Sequence, residues 1–535
     1  MWHELVTMSD AELASLRSPD NLKIEVMESL LEPDGSPAVY RKNSKGDILQ
    51  VDYFRDDGTR AISNRSDVRR EGTLGGRLIT VFGRDGTPLA QWASLRRLYH
   101  AWVDVVIGGG EAILVVDSAP AGGLFFDYRR DNVTTIQVIH NHHLLQMRAE
   151  ERGKLSADVM NMLTHLDWFD AVAVLTQGQY ADLMGANVLG GNGFVAPNML
   201  VDPQPEGASV RDPLHGVIVA RQVRQKRLDH ALQALAGAAG AGSRAHLEMY
   251  GSGGLGPKLH RAADELSVDD RVFWRGYDPR AKEKFAEASF TILSSRYEGH
   301  PVALLEAMSA GCIPLAYDVE YGPRDTITDG VNGFLVPDGD VPALSAAIDR
   351  VASMDSAELA KMRRAAILRS QDFSPKEITQ LWASALKDVR KNKRPVVNES
   401  GTVSLTGATM GEDGLRLNID VTGKIVSSTR SVLIAWIGRN QDAYGRVKAR
   451  ITRKRGRLHA EAVIDVNRLE SLNTGTVMDV YADICNDSTP LRKRIPTGSV
   501  HIPGVDHGFM PFATVAGNLS IHYVAAPEST EVRSV

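Results

Sequence analysis

Cysteine is almost missing from this chain: Cys312 and Cys485 are the only two among 535 residues. Two thiols make neither a disulfide framework nor a cysteine zinc site, and they point to a reducing, cytoplasmic setting. Uninterrupted apolar runs are missing as well. Even residues 105–126 are broken by Glu111, Asp117 and several glycines, so no segment has the length that a membrane-crossing helix needs. A surplus of charge of either sign is also lacking. Lys and Arg total 61 against 66 Asp and Glu, a formal charge of −5, and that balance calls for neither nucleic acid nor a strongly anionic membrane. The opening MWHELVTMSDAELASLRS is polar and acidic, which argues against a signal peptide. What the chain does have is length, enough for about three domains with real cores.

Residues 24–130 hold short alternating pieces with turn signals and read as a β-meander. Asp57-Gly58 and Asp85-Gly86 are placed as hairpin turns, glycine accepting the positive φ of two-residue loops. Gly108-Gly109-Gly110 is followed by the strand-like Ala112-Ile-Leu-Val-Val116 rather than by a helix, so it reads as a loop and not as a phosphate cradle. From Ile136 onward strands and helices alternate. Residues 136–139 form a strand ending in His140-Asn-His-His143, residues 171–175 a second ending at Thr176-Gln177, and residues 193–196 a third ending at Pro197-Asn198. Polar residues at the ends of buried parallel strands are where open α/β sheets bind ligands, which makes His140 and His143 candidates. The same histidines could instead lie in a solvated loop or bind zinc, although no cysteine or carboxylate ligand is close in sequence.

A second α/β unit opens with the strand 215–220, which delivers Arg221-Gln-Val-Arg-Gln-Lys226 ahead of a helix over 228–235. Cations in such a turn can neutralise a diphosphate, Arg by a planar fork and Lys as a point charge; a solvated basic turn is the other reading. The strand 246–250 runs into Gly251-Ser-Gly253-Gly, where missing side chains would let backbone approach a ligand. A helix over 257–266, a strand over 272–274 and a helix over 282–288 follow.

Residues 294–336 are the most informative stretch. Thr291, Ile292 and Leu293 form a strand that ends at Ser294-Ser295, and Pro301 sits where a helix would start. Gly311 is placed to stop that helix. A helix starting just past a strand end points unpaired N–H groups and partial positive charge at whatever lies there, which suits a phosphate. Glu298 and Glu306 flank this start. Carboxylates repel phosphate, so they are better read as acceptors for the hydroxyls of a sugar and a ribose. Helices over 342–354 and 374–389 lead to the basic linker Arg390-Lys-Asn-Lys-Arg-Pro395, which could touch anionic lipid or polymer or could simply be solvated. From Gly401 to about Tyr523 short alternating runs with Gly, Asn and Asp turns suggest a β-sandwich. The tail from Pro527 reads as disordered.

Taken together, Arg221, Lys226, Glu298 and Glu306 make the sequence resemble retaining glycosyltransferases of the GT-B fold, family 4, over about residues 136–389. The most specific part is YEGHPVALLEAMSAGCIPLAYDVEYGPRDTITDGVNGFLVP, similar to poly(glycerol-phosphate) α-glucosyltransferases and related enzymes that decorate teichoic acids or serine-rich proteins. The β-meander also looks like the insertion carried by that group. The resemblance implies that Arg221 and Lys226 hold the diphosphate, Glu306 the ribose and Glu298 the donor sugar. It also implies backbone amides around Ala303, Leu304 and Leu305 completing the cradle, with His140 or His143 near the reacting sugar. Gly251 and Gly253 join the cofactor-side set. One departure is notable: residues 1–20 offer neither the first strand nor the Gly-Gly loop of the family, so the chain is expected to start inside its first domain.

The resulting expectation is an α/β protein of two Rossmann-like lobes with a β-rich insertion and a C-terminal β-sandwich. Its domains are 1–205 for the acceptor-side lobe, 206–395 for the nucleotide-sugar lobe and 396–535 for the accessory domain. The implied reaction moves a sugar from UDP-glucose or UDP-N-acetylglucosamine to a polyol-phosphate polymer or a protein hydroxyl, in the cytoplasm or at the inner membrane face, with oligomerisation left open. No metal is required on this reading, because Asp338-Gly-Asp340 lies in a loop after a strand and not at the strand end a metal-dependent transferase would use. The rivals are a nucleotide-sugar or glycan-binding scaffold and, less fittingly, an epimerase or phosphorylase on the same fold.

Overall fold

The computed structural model describes residues 2–16, 35–141, 157–203, 211–396, 399–440, 443–465, 474–486, 490–506 and 508–524. The chain divides into two compact units, residues 1–114 with 120–135, and residues 115–119 with 136–535.

The first unit contains the short helices α1 (Trp2–Thr7) and α2 (Asp10–Ser15) and an antiparallel meander. Its strands are β1 (Ala38–Lys42), β2 (Ile48–Phe54), β3 (Arg60–Arg65), β4 (Leu78–Phe82) and β5 (Pro88–Trp92), paired in sequence order. Leu5 and Leu13 from the helices pack with Ile62, Ile79, Val81 and Trp92 from the sheet into one core. The predicted hairpins are present, with a longer loop than expected. Arg55 N–H donates to Thr59 O and Gly83 N–H to Thr87 O, so each turn holds three residues and ends in a left-handed glycine, Gly58 or Gly86, both at φ 81°. That geometry, a tight turn closed by a left-handed residue, recurs between Asn43 and Asp47. The meander is also shorter than residues 24–130: the start of that range lies outside the described residues, and after Trp92 the chain forms the helix α3 (Leu95–Ile107). Leu95, Leu98, Ala101, Trp102 and Val105 recur on one side of α3 against that core, a helical spacing that overrides the strand reading.

Strand β6 (Ala112–Val116) and helix α4 (Ala119–Phe125) follow. From there β7 (Val133–Ile139), which enters the second unit at Ile136, α5 (Ala157–Leu163), β8 (Ala171–Val174), α6 (Gln177–Gly185) and β9 (Gly193–Val195) alternate as predicted, and the three strands run parallel. Residues 136–139 and 171–174 are buried throughout, as a sheet covered on both faces requires.

The next lobe is a six-stranded, all-parallel sheet. It is built from β10 (His215–Val219), α7 (Leu228–Gly237), β11 (His246–Tyr250), α8 (Gly256–Glu265), β12 (Val272–Gly276), β13 (Phe290–Leu293), α9 (Val302–Ser309), β14 (Ile313–Asp318), α10 (Pro323–Thr326) and β15 (Phe334–Pro337). The strand order is β12-β11-β10-β13-β14-β15, so the order reverses between β10 and β13. In doubly wound sheets that crevice is where ligands bind. Residues 281–286 form a 3-10 helix where a regular helix was predicted over 282–288. Helix α11 (Val341–Ala352) covers this sheet, and α12 (Ser356–Gln371) starts at a capping box between Asp355 and Glu358. Helix α13 (Pro375–Lys391) then returns to the first lobe, where Trp382, Leu386 and Val389 pack against Ile136, Val138 and Ala173.

The C-terminal strands form two antiparallel sheets. One contains β16 (Gly401–Gly411), β17 (Gly414–Gly423), β20 (Arg450–Lys454) and β21 (Arg457–Ile464). The other contains β18 (Thr429–Gly438), β19 (Tyr444–Lys448), β22 (Val477–Asn486), β23 (Leu491–Arg494), β24 (Phe509–Ala513) and β25 (Leu519–Tyr523), with a short helix α14 (Ile425–Ser428) between β17 and β18. Leu417, Ile419 and Val421 of one sheet share a core with Ile434, Val480 and Ala482 of the other. Alternate residues of β17 and β21 point into that core, the period-two pattern of a sandwich.

Candidate functional site

The two loops at the reversal point of the six-stranded sheet carry three of the predicted residues, Arg221, Lys226 and Glu298. After β10 the chain passes Arg221 and makes one 3-10 turn, Arg224–Lys226. After β13 it passes Ser294, Ser295 and Glu298 before entering α9. Several bonds tie the loops together: Arg296 N–H donates to Gln225 O at 2.8 Å, Gln225 Nε2 to Tyr297 O at 3.1 Å, and Ser294 Oγ to Arg227 O at 2.9 Å. Across this frame Lys226 Nζ meets Glu298 Oε1 at 2.7 Å, and Glu298 is only 7 % exposed. The structure therefore brings together a cation and a carboxylate that were assigned to different parts of a ligand. Arg221 is exposed at the mouth of the same loop.

Arg227 was not singled out from the sequence, yet it organises these loops. It takes a left-handed backbone conformation at φ 44° and is 6 % exposed. Its guanidinium donates to Ser294 O and Ser295 O, pairs with Asp338 and lies over the Tyr317 ring. Asp338 is thus a structural partner of Arg227, while Asp340 caps α11 by accepting from Ala343 N–H at 2.9 Å. Only the fold reveals these partners, which lie 67 to 111 residues away.

Gly251 and Gly253 have a structural reason of their own. A Cβ on Gly251 would stand 2.0 Å from Ala220 O, and one on Gly253 2.4 Å from Gln222 O. The glycine loop packs directly on the backbone that delivers Arg221, so the close approach is first of all to protein. Helix α9 begins at Val302 with Pro301 as its N-cap, one position later than predicted, and Gly311 at φ 72° follows its end as expected. Leu304 and Leu305 are buried, so only their backbone is available to a ligand, and Leu304 N–H already donates to Pro301 O at 3.0 Å. Glu306 is partly buried on the same helix; burial raises its pKa above the ordinary glutamate range, with Lys282 opposing.

The first lobe contributes His140 at the end of β7. Its Nε2 contacts Asp117 Oδ1, a residue the sequence reading passed over although it too follows a strand. The backbone beside it is tightly fitted: a Cβ on Gly299 would come 1.9 Å from His140 O, which places the His140 carbonyl against the turn that carries Glu298. His143 lies outside the described residues. Asn198, at the end of β9, donates to His300 O at 2.9 Å. His300 is itself 3 % exposed, with Nε2 3.3 Å from Thr326 Oγ1. Burial, with Arg369 nearby, pushes its pKa down to about 4, so its ring is neutral at physiological pH. Further contacts across the cleft run from Tyr321 to Asp182 and from Gln177 N–H to Asp325 Oδ1 at 3.3 Å. Chemically, the loops at the reversal point hold two cations, Arg221 and Lys226, and the Glu298 carboxylate, groups able to meet a diphosphate and hydroxyls, while Glu306 lies on α9 and the His140 ring is paired with Asp117.

Residues 207–369 match the family described as glycosyl transferases group 1. The chain is similar to the poly(glycerol-phosphate) alpha-glucosyltransferase of Bacillus subtilis, 24 % identical over 437 residues that make up 78 % of this chain and 63 % of that protein. It is also similar to an exopolysaccharide phosphotransferase of Streptomyces coelicolor, 36 % identical over 276 residues, 50 % of this chain and 28 % of that protein. The chain thus spans less than two thirds of the length of either relative. Among solved structures it is similar to a Staphylococcus aureus TarM mutant in complex with fondaparinux, alpha-GlcNAc-glycerol and UDP. The TM-score is 0.57 at 18 % identity, covering 65 % of this chain and 69 % of that one. The fold is accordingly GT-B, two parallel Rossmann-like sheets with added antiparallel sheets.

Proposed function

We propose that this chain, whose residues 207–369 match the group 1 glycosyl transferases, moves a sugar from a UDP-sugar to a hydroxyl of a polyol-phosphate polymer with retention at the anomeric carbon. The observation that carries this reading is the Lys226–Glu298 pair across the reversal point between β10 and β13. The two loops it joins are the ones a nucleotide diphosphate-sugar would bridge.

On this reading the donor diphosphate takes over Lys226, and the donor sugar takes over Glu298 through its hydroxyls. As the bond to the anomeric carbon breaks, negative charge grows on the departing diphosphate. Arg221 would meet it with two parallel N–H donors, Lys226 as a compact charge, and the start of α9 with its partial positive end. Glu306 would accept from the ribose hydroxyls. His140, held by Asp117, stands on the wall next to the Glu298 turn, where the sugar and the acceptor oxygen would meet. The donor class is supported by the UDP in the TarM complex, and the acceptor class by the poly(glycerol-phosphate) specificity in the name of the Bacillus relative.

The test is incubation of the chain with UDP-glucose or UDP-N-acetylglucosamine and a glycerol-phosphate oligomer, scoring UDP release and α-linked hexose on the oligomer. Lys226→Ala and Glu306→Ala are each expected to slow transfer by about 100-fold or more, the scale of one lost stabilising group at a developing charge. Near-normal turnover in either variant refutes the assignment. UDP binding by calorimetry with neither transfer nor donor hydrolysis in the parent chain would leave a nucleotide-sugar-binding scaffold instead.

A further inference from the structure

The linker after α13 does not simply run through solvent. It forms one wall of a cavity of about 750 Å³ whose opposite wall is the glycine-rich loop before β9. Gly190, Gly191 and Gly193 leave that loop almost without side chains, so backbone amides can come close to an occupant. Lys391, Lys393 and Arg394 line the linker side, and Arg430, exposed at the start of β18, contributes from the sandwich. Two carboxylates, Asp170 and Asp388, also line it, so four cations face two anions. Lys391 falls in the last turn of α13, where the helix dipole alone favours a cation. Lys393, Arg394 and Arg430 are outside that turn.

The position of the cavity separates it from the cleft. Asp170 immediately precedes β8 and Gly193 opens β9, so the cavity lies at the amino ends of the parallel strands. His140 and Asn198 stand at or beyond their carboxyl ends, one strand length away, roughly 13 Å for four residues.

We propose that this cavity is a second, non-catalytic holding site for the polyol-phosphate acceptor, gripping phosphodiester units of the chain while another unit reaches the cleft. The inference rests on the polymer-acceptor reading given above. A phosphodiester chain supplies one negative charge per unit, which suits cations drawn from two separate elements. The volume lies in the range of ordinary ligand sites and has room for a short run of such units. The concave shape favours a strand of polymer, which can enter the recess to meet the half-buried Lys393 and Arg394 as well as the exposed Lys391 and Arg430. Holding the acceptor at this distance raises the local concentration of its hydroxyls at the cleft, so a long polymer gains and a single unit does not.

The test compares the parent with a K393E/R394E double variant and, from the facing element, an R430E variant. Binding of a long, fluorescently labelled glycerol-phosphate oligomer is read by anisotropy at low salt. Both variants are expected to bind it about tenfold more weakly and to show a raised KM for it, with unchanged UDP binding and unchanged transfer to single glycerol phosphate. Thermal unfolding of each variant identifies any that is misfolded, and the other then decides. Parent-like oligomer affinity in a folded variant overturns the proposal. So does weakened binding to vesicles of anionic phospholipid with oligomer binding intact, which would make the cavity rim a membrane contact. A parent that binds the oligomer without transferring sugar to it would refute the functional reading and leave the holding site standing.

Discussion

Because Arg227 donates to the carbonyls of both Ser294 and Ser295 while pairing with Asp338, one buried cation joins the chain segments that follow β10, β13 and β15. That anchoring is separate from the pair that Lys226, its neighbour, makes with Glu298. Glu306 is the residue whose chemistry is most open to a pH test. Burial raises its pKa, so it takes up a proton at a pH where an exposed glutamate is still charged. On the proposed reading a ribose hydroxyl would donate to the carboxylate, so UDP affinity is expected to weaken as pH falls through the raised value. That step should be missing in Glu306→Gln, and calorimetric titrations of both proteins across the acid range would show it. The sign is opposite for stability: the protonated side chain tolerates burial, so this contribution is present at low pH and lost as pH rises through the same value. The two glutamates and the Arg221/Lys226 pair could be read from the sequence because each lies beside a strand end or helix start. Arg227, Asp117 and His300 could not, since their partners come from other elements that only the fold brings close.

At the level of elements, the turn between β13 and α9 is the most constrained. Gly299 has no room for a side chain because the backbone of His140 fills the space. Gly299→Ala is expected to push the turn off the β7 end, lowering transfer by tenfold or more while UDP affinity stays near that of the parent, since the cations reside on the other loop. Kinetics with calorimetry on the same preparation would decide, and equal losses of both would point to general unfolding. The parallel strands were legible because buried runs such as Ala171–Val174 are short, apolar and followed by polar ends. Helix α3 was hidden inside the meander by two hairpin signals upstream. Helix α12 was passed over although Asp355 and Glu358 form a capping box that marks its start. The loop length of the hairpins was missed because Asp-Gly serves both two- and three-residue turns.

At the scale of the molecule, the C-terminal sandwich is joined to the first lobe by buried charge. Arg446, 2 % exposed, pairs with Asp167 after α5 and lies 3.6 Å from Asp483, which Arg492 also holds at 2.6 Å; Arg492 reaches on to Thr164 O. Arg446→Met leaves Asp167 and Asp483 short of a buried partner, a loss of about 3–5 kcal/mol for pairs of this kind. The expected result is an additional, earlier thermal transition by calorimetry and faster proteolysis after residue 391; a single parent-like melt would show that the sandwich needs no such anchor. The ion pair in the cleft has a wider consequence for a chain that is negative overall. With Lys226 already matched by Glu298, that lysine by itself offers little pull on anions in general. Pyrophosphate or sulfate could claim the lysine only by stranding a buried carboxylate, whereas a sugar diphosphate supplies replacements to both partners in one molecule. Selectivity would then arise from an exchange of partners that a bare anion cannot complete, which keeps the cleft free amid the abundant phosphates of a cell.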